Sequence, residues 1–113
     1  YQDMLKYLEG NPKLPTAFFA DNDMIALGAM KALQEKGIRI PEDISIAGFD
    51  DLPFSEISSP ALTTQRVPNR EMGKIAVRRV SEMIEGIDGG AVLKIQVCPK
   101  IIYRDTVRNL AEK

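Results

Sequence analysis

Short apolar runs alternate with stretches of helical periodicity along this chain, and that alternation restricts its fold more than any other feature. The first run is Thr16-Ala17-Phe18-Phe19-Ala20, entered from Pro15. The second, Ile44-Ser45-Ile46-Ala47-Gly48-Phe49, is apolar nearly throughout, as a strand covered on both faces should be. Leu62 to Val67 forms a third. Val92, Ile95 and Val97 begin a last extended segment that continues as Ile101-Ile102-Tyr103. Between the first two runs, Ala26, Ala29, Met30 and Leu33 recur at helical spacing, predicting a helix from about Met24 to Lys36. Asp21-Asn22-Asp23 offers capping residues at its start, with Asp23 the expected cap, and Gly37 stands where a C′ glycine belongs. After Pro68 a second helix carries Met72, Ile75, Ala76, Val80, Met83 and Ile84 on one face and ends at Gly86. A shorter amphipathic stretch at the start stops at Gly10-Asn11-Pro12, and Leu52 to Pro60 reads as a loop. Strands separated by helices predict an α/β fold of three layers, a mainly parallel sheet with helices on both faces. The chain reads as one subdomain over residues 1–113, opened at Tyr1 as a fragment cut within a helix.

Composition narrows the function. Hydrophobic residues make up 44% of the chain, enough for a real core. Fifteen basic against sixteen acidic residues leave a net charge of −1, which gives neither a nucleic-acid footprint nor an anchor for a membrane surface. The absence of His removes the usual general base and most catalytic zinc sites. No cofactor, metal or catalytic residue is expected. The single Cys98, before Pro99, reads as a packed thiol in a reducing compartment. Arg66, Arg70, Lys74 and Arg78 recur every four residues and read as a solvated stripe. Gly86, Gly89 and Gly90 lack the order of a phosphate loop and read as a turn.

In an open parallel sheet, ligands bind at the carboxyl ends of the strands. Asn22 follows the first strand, Asp50 the second and Asn69 the third, so the three can converge on one rim. A carboxylate accepts two adjacent hydroxyl protons and a carboxamide both donates and accepts, which suits a polyhydroxylated ligand. Capping, a solvated loop and a surface helical turn account for the same residues without a ligand.

The ordered motifs add a family. Thr16 to Asp23 followed by Ala26-Leu27-Gly28-Ala29, then Pro41 to Asp51, then Ser59-Pro60-Ala61-Leu62-Thr63-Thr64, Met72-Gly73 with Ala76, and finally Arg104 resemble the lactose-repressor/galactose-repressor (LacI/GalR) family. The matches run from about Pro15 to Thr106. The resemblance implies the C-terminal subdomain of a type I periplasmic-binding-protein-like effector domain. The helix-turn-helix, the hinge, the N-terminal subdomain and one preceding strand are then missing from this chain. It implies that Asn22 and Asp50 bind effector hydroxyls. The Asn69 position, often apolar or aromatic in sugar-binding members, points here to a polar effector.

The family also dimerises through this subdomain. Leu27 and Lys31, on the helix face away from Ala26, together with Phe54, Ile57 and Ser58 are the expected dimer surface, unless Phe54 folds back over its own sheet. The implied function is effector binding and homodimerisation in a cytoplasmic transcription regulator, with a carbohydrate as the expected small-molecule effector and operator DNA reached only through the missing domain. A periplasmic sugar-binding protein of a transporter is the first rival. A small doubly wound enzyme is the second, and it lacks its phosphate loop here.

Overall fold

A computed structural model describes residues 1–111. Its elements in chain order are α1 (Gln2–Glu9), β1 (Ala17–Phe19), α2 (Asp23–Glu35), β2 (Ser45–Ala47), α3 (Pro53–Ile57), β3 (Thr64–Arg66), α4 (Asn69–Glu85) and β4 (Lys100–Ile102). The chain forms two compact units. One is Tyr1–Arg66 with the chain from Ile101 onward, and the other is Val67–Lys100. The buried apolar cluster is drawn wholly from the first unit.

In the first unit β1 and β2 pair in parallel, with Ala17 opposite Ser45, Phe18 opposite Ile46 and Phe19 opposite Ala47. Parallel bridges from Ala47 to Thr63 and from Asp50 to Arg66 carry the sheet on to the third strand. The alternating order of the sequence thus becomes an α/β fold with parallel pairing. The strands are shorter than the apolar runs that predict them, because Gly48 to Asp51 turns away after β2 with two left-handed residues. Helix α2 lays Ala26, Met30 and Leu33 onto Ile44, Ile46 and Leu62, all nearly free of solvent contact. Burying aliphatic side chains of this size stabilises by about 1.5–3 kcal/mol each. At its end the Ile38 N–H reaches the Leu33 carbonyl at 3.0 Å and the Gly37 N–H the Gln34 carbonyl at 2.9 Å. This double closure needs the left-handed residue that Gly37 supplies at φ +75°.

Two sequence expectations change in this unit. Leu52 to Pro60 is not all loop: α3 forms there, with Pro53 in its first turn, where a missing N–H costs nothing. The helix α2 is capped by Asn22, not Asp23: the Asn22 carboxamide oxygen accepts the Ile25 N–H at 2.9 Å. Asp23 is instead wholly buried, and its surroundings explain why.

In the second unit α4 runs to Gly86, left-handed at φ +69°. The Arg79 guanidinium closes the glycine turn by donating to the Ala91 carbonyl at 2.6 Å and pairing with Asp88 at 2.7 Å. Met72, Ile75, Ala76 and Val80 share one open groove of about 380 Å³ with Leu93, Ile95 and Val97. No α4 residue is buried, so its predicted apolar face is not a core face within this unit. Residues 92–97, read from sequence as the start of a strand, run without regular pairing, and Cys98 is exposed instead of packed. Arg66 lies in β3, off the helical stripe to which its spacing assigned it. Among the described residues no helix is long and apolar enough to cross a membrane.

One surface pair gives a pH prediction. Asp43 accepts from the Arg39 guanidinium at 2.7 and 3.0 Å and from the Arg39 backbone N–H at 2.8 Å. The guanidinium hydrogen bonds first, then the backbone one, lower the Asp43 pKa to about 2. A depressed folded pKa contributes stability above the unfolded value of about 3.9 and loses it as pH falls toward the folded one. The Asp43 carboxyl carbon, followed by NMR, should therefore titrate near 2. A midpoint at the ordinary aspartate value would mean the pair does not persist in solution.

Candidate functional site

The parallel order of the first unit sends the ends of β1 and β2 to one rim. The Asp23 N–H donates to the Phe49 carbonyl at 2.9 Å, so Asn22 and Asp50 directly flank a hydrogen bond joining the two loops. The Asn22 carboxamide oxygen is engaged by the helix, while its amide nitrogen donates to nothing among the described residues. The Asp50 residue is exposed, and its carboxylate likewise accepts no hydrogen bond among them. Its backbone is held: the Asp50 N–H donates to the Gln65 carbonyl at 2.9 Å, at φ +107°. The rim therefore carries an uncommitted donor on one loop and an uncommitted charged acceptor on the other. Phe19, closing β1 at the same end, leaves 63% of its surface exposed. Such a ring offers an apolar face beside the polar pair, a feature the sequence reading did not single out. Asn69 belongs to the second unit, where it is the exposed first residue of α4 and its N–H donates to the Val67 carbonyl at 2.8 Å.

Beneath the rim sits a polar framework that sequence reasoning largely missed. The Asp23 carboxylate accepts from the Leu52 N–H at 2.8 Å, the Ser55 hydroxyl at 2.5 Å and the Thr64 hydroxyl at 2.5 Å. One side chain thereby ties α2 to α3 and β3. Gly48 is dictated by the same group, since a Cβ there would overlap the Asp23 carboxylate and come within 3.1 Å of Leu62. Beside it the Thr106 hydroxyl donates to the Ile46 carbonyl at 2.6 Å and accepts from the Thr63 N–H at 2.9 Å. Asp51 does not start a solvated loop. Its carboxylate is 6% exposed and pairs with Arg104 at 2.7 Å and Arg66 at 2.6 Å. Arg104 was visible in the sequence as a motif residue; its partner was not.

Leu27 is half-buried and packs against the core cluster instead of standing clear of it. The Lys31 ammonium lies 4.8 Å from the centre of the Tyr1 ring, and a Cβ on Gly28 would come within 3.0 Å of the Tyr1 nitrogen. The chain start thus lies against this stripe of α2. Phe54 and Ile57 on α3 are 59% and 79% exposed, so Phe54 does not fold back over its sheet. Ser58 is half-buried, with its hydroxyl 3.0 and 2.9 Å from the carbonyl oxygens of Ser55 and Pro60.

Residues 1–107 match the periplasmic binding protein-like domain. The chain belongs to that family. Within this periplasmic binding protein-like family its relatives are LacI/GalR repressors. The HTH-type transcriptional repressor PurR of Vibrio cholerae serotype O1 (strain M66-2) is 44% identical over 100 residues, covering 88% of this chain and 30% of the relative. PurR of Haemophilus influenzae (strain KW20) is 42% identical over 100 residues, covering 87% and 30%. The chain thus spans about a third of the length of the curated relatives it matches. Among solved structures, the Lac repressor dimer bound to operator and the anti-inducer ONPF superposes with a TM-score of 0.83 at 34% identity, over 95% of this chain and 36% of that one. A LacI family regulator from Arthrobacter sp. FB24 in complex with lactose gives 0.78 at 28% identity, over 95% and 40%.

Proposed function

We propose that this chain is the effector-binding and dimerisation part of a bacterial transcription regulator, taking a sugar or a related polar small molecule at the rim of Asn22 and Asp50. The observation that carries this reading is the uncommitted Asp50 carboxylate and the free Asn22 amide on two loops joined by a backbone hydrogen bond at the carboxyl ends of parallel strands. The carboxylate accepts vicinal hydroxyls, the amide donates to a ring or hydroxyl oxygen, and Phe19 covers an apolar ring face. Binding is the whole task and no catalysis is involved. Closure on the effector shifts a homodimer between states that hold its DNA-binding domains differently, so effector and operator affinities are linked reciprocally. The exposed Phe54 and Ile57 of α3 contribute to the dimer surface, with Leu27, Lys31 and Ser58 at its edge. Operator DNA is bound by a domain outside this chain, and the protein works in the cytoplasm, where the DNA is. Repressor relatives favour this reading over a transporter's binding protein.

The test is a thermal-shift and calorimetric screen of the full-length protein against sugars, nucleosides and sugar phosphates. A hit should also change affinity for operator DNA in a gel shift. Binding by a member of the panel with no loss in the Asn22→Ala and Asp50→Ala variants would move the effector site elsewhere.

A further inference from the structure

We propose that Asp51 is a positioning residue for the effector rim: its clamp by Arg104 and Arg66 holds Asp50 in the left-handed backbone conformation that keeps the Asp50 carboxylate free for a ligand. This rests on the reading of Asp50 as a ligand group. Asp50 and Asp51 have φ +107° and +56°. Residues other than glycine rarely adopt such angles, and two in succession persist only where the surroundings impose them. The constraints are visible on both sides of Asp50. Ahead of its side chain, the Asp50 N–H is held by the Gln65 carbonyl at 2.9 Å. Behind it, one Asp51 carboxylate oxygen takes the Arg104 guanidinium at 2.7 Å and the other takes Arg66 at 2.6 Å.

Arg104 is itself anchored. Its guanidinium also donates to the Leu62 carbonyl at 2.9 Å, and its backbone N–H donates to the Thr63 hydroxyl at 2.9 Å. The clamp therefore refers Asp51 to the same strand region that holds Asp50. Burial pushes the Asp51 carboxyl up, and the hydrogen bonds from Arg104 and Arg66 more than offset it, leaving it below the usual aspartate value. The pair of adjacent aspartates thus divides its work: Asp51 spends its charge on the framework and Asp50 keeps its own uncommitted. With the clamp loosened, the Leu52 N–H held by Asp23 is the next tie on the C-terminal side, and it leaves Asp50 freer to relax to negative φ, which turns its carboxylate off the rim.

The experiment compares the full-length protein with Asp51→Asn, Asp50→Ala and the double variant. Calorimetry uses lactose and guanosine as probes of hydroxyl-rich and nitrogen-ring ligands. Asp51→Asn should weaken the bound probe about tenfold, and the loss should vanish in the Asp50→Ala background, a coupling that general destabilisation does not produce. A crystal structure of Asp51→Asn should show Asp50 at negative φ. If Asp50→Ala binds like the unmodified protein, or if neither probe binds, the effector reading of the rim fails for these ligands, and the Asp50 angle alone then decides the clamp. Retention of the positive φ in Asp51→Asn overturns the proposal, as does an equal affinity loss with and without the Asp50 side chain.

Discussion

Asp23→Ala should destabilise the fold by about 3 kcal/mol or more, the largest loss expected from any single truncation near the rim. The carboxylate is wholly buried and serves three donors from two other elements, namely the Leu52 N–H, the Ser55 hydroxyl and the Thr64 hydroxyl. Alanine leaves those donors without an acceptor in a site that also loses volume. Each abandoned buried donor costs about 1–3 kcal/mol, discounted because rotated hydroxyls find partial substitutes. Asp23→Asn is the informative control. It keeps the shape but replaces one acceptor with an amide that meets a hydroxyl only if that hydroxyl turns to accept, so its loss should be smaller. Urea unfolding of the three proteins measures this directly. A shift below 1 kcal/mol for Asp23→Ala would show that water enters and serves the donors, and that the framework is not the tie between α2, α3 and β3.

Gly48 shares that outcome for a steric reason. Its missing Cβ leaves room for the Asp23 carboxylate, with the Asp23 Cα only 3.3 Å from where a Cβ would stand. The sequence carried the glycine in plain view within an apolar run, yet gave no reason for it. The reason lies 25 residues earlier in the chain, in a side chain that local rules assign to helix capping.

That contrast describes what was legible. Features set by neighbours in sequence were readable: the helical stripe of Ala26, Met30 and Leu33, the Gly37 closure, and the parallel order from alternating strand and helix patterns. Features set by distant partners were not. Asn22 and Asp23 are adjacent and both chemically able to cap, and only the positions of Ser55 and Thr64 decide which turns inward. Asp51 reads as loop until Arg104, 53 residues on, is brought beside it. Helix α3 is short, and a stretch holding two prolines reads as loop; the position of Pro53 at its start was the available sign. The α4 face misled because amphipathic spacing reports that a face needs cover without saying that the cover lies within the same compact unit.

Asp50→Ala should lower effector affinity by about 2–4 kcal/mol, roughly thirty-fold to a thousand-fold, while leaving the fold nearly as stable. The two halves of this expectation have separate causes. On the proposed reading the affinity loss follows from removing a charged acceptor, whose hydrogen bonds to a ligand are stronger than neutral ones. The small stability effect follows from the absence of any hydrogen bond to that carboxylate among the described residues. Alanine tolerates the +107° backbone less well than aspartate, so Asp50→Asn is the cleaner variant. It keeps the shape and the backbone preference, removes only the charge, and should fall between the two. Asn22→Ala makes the opposite division: a smaller affinity loss, because an uncharged group goes, and a stability loss of about 1 kcal/mol, because the helix loses its cap. Calorimetry of effector binding paired with urea unfolding separates the two patterns. Asp50→Ala with affinity intact removes Asp50 from the site, whereas a loss of affinity matched by an equal loss of fold stability would make it a structural residue instead of a ligand group.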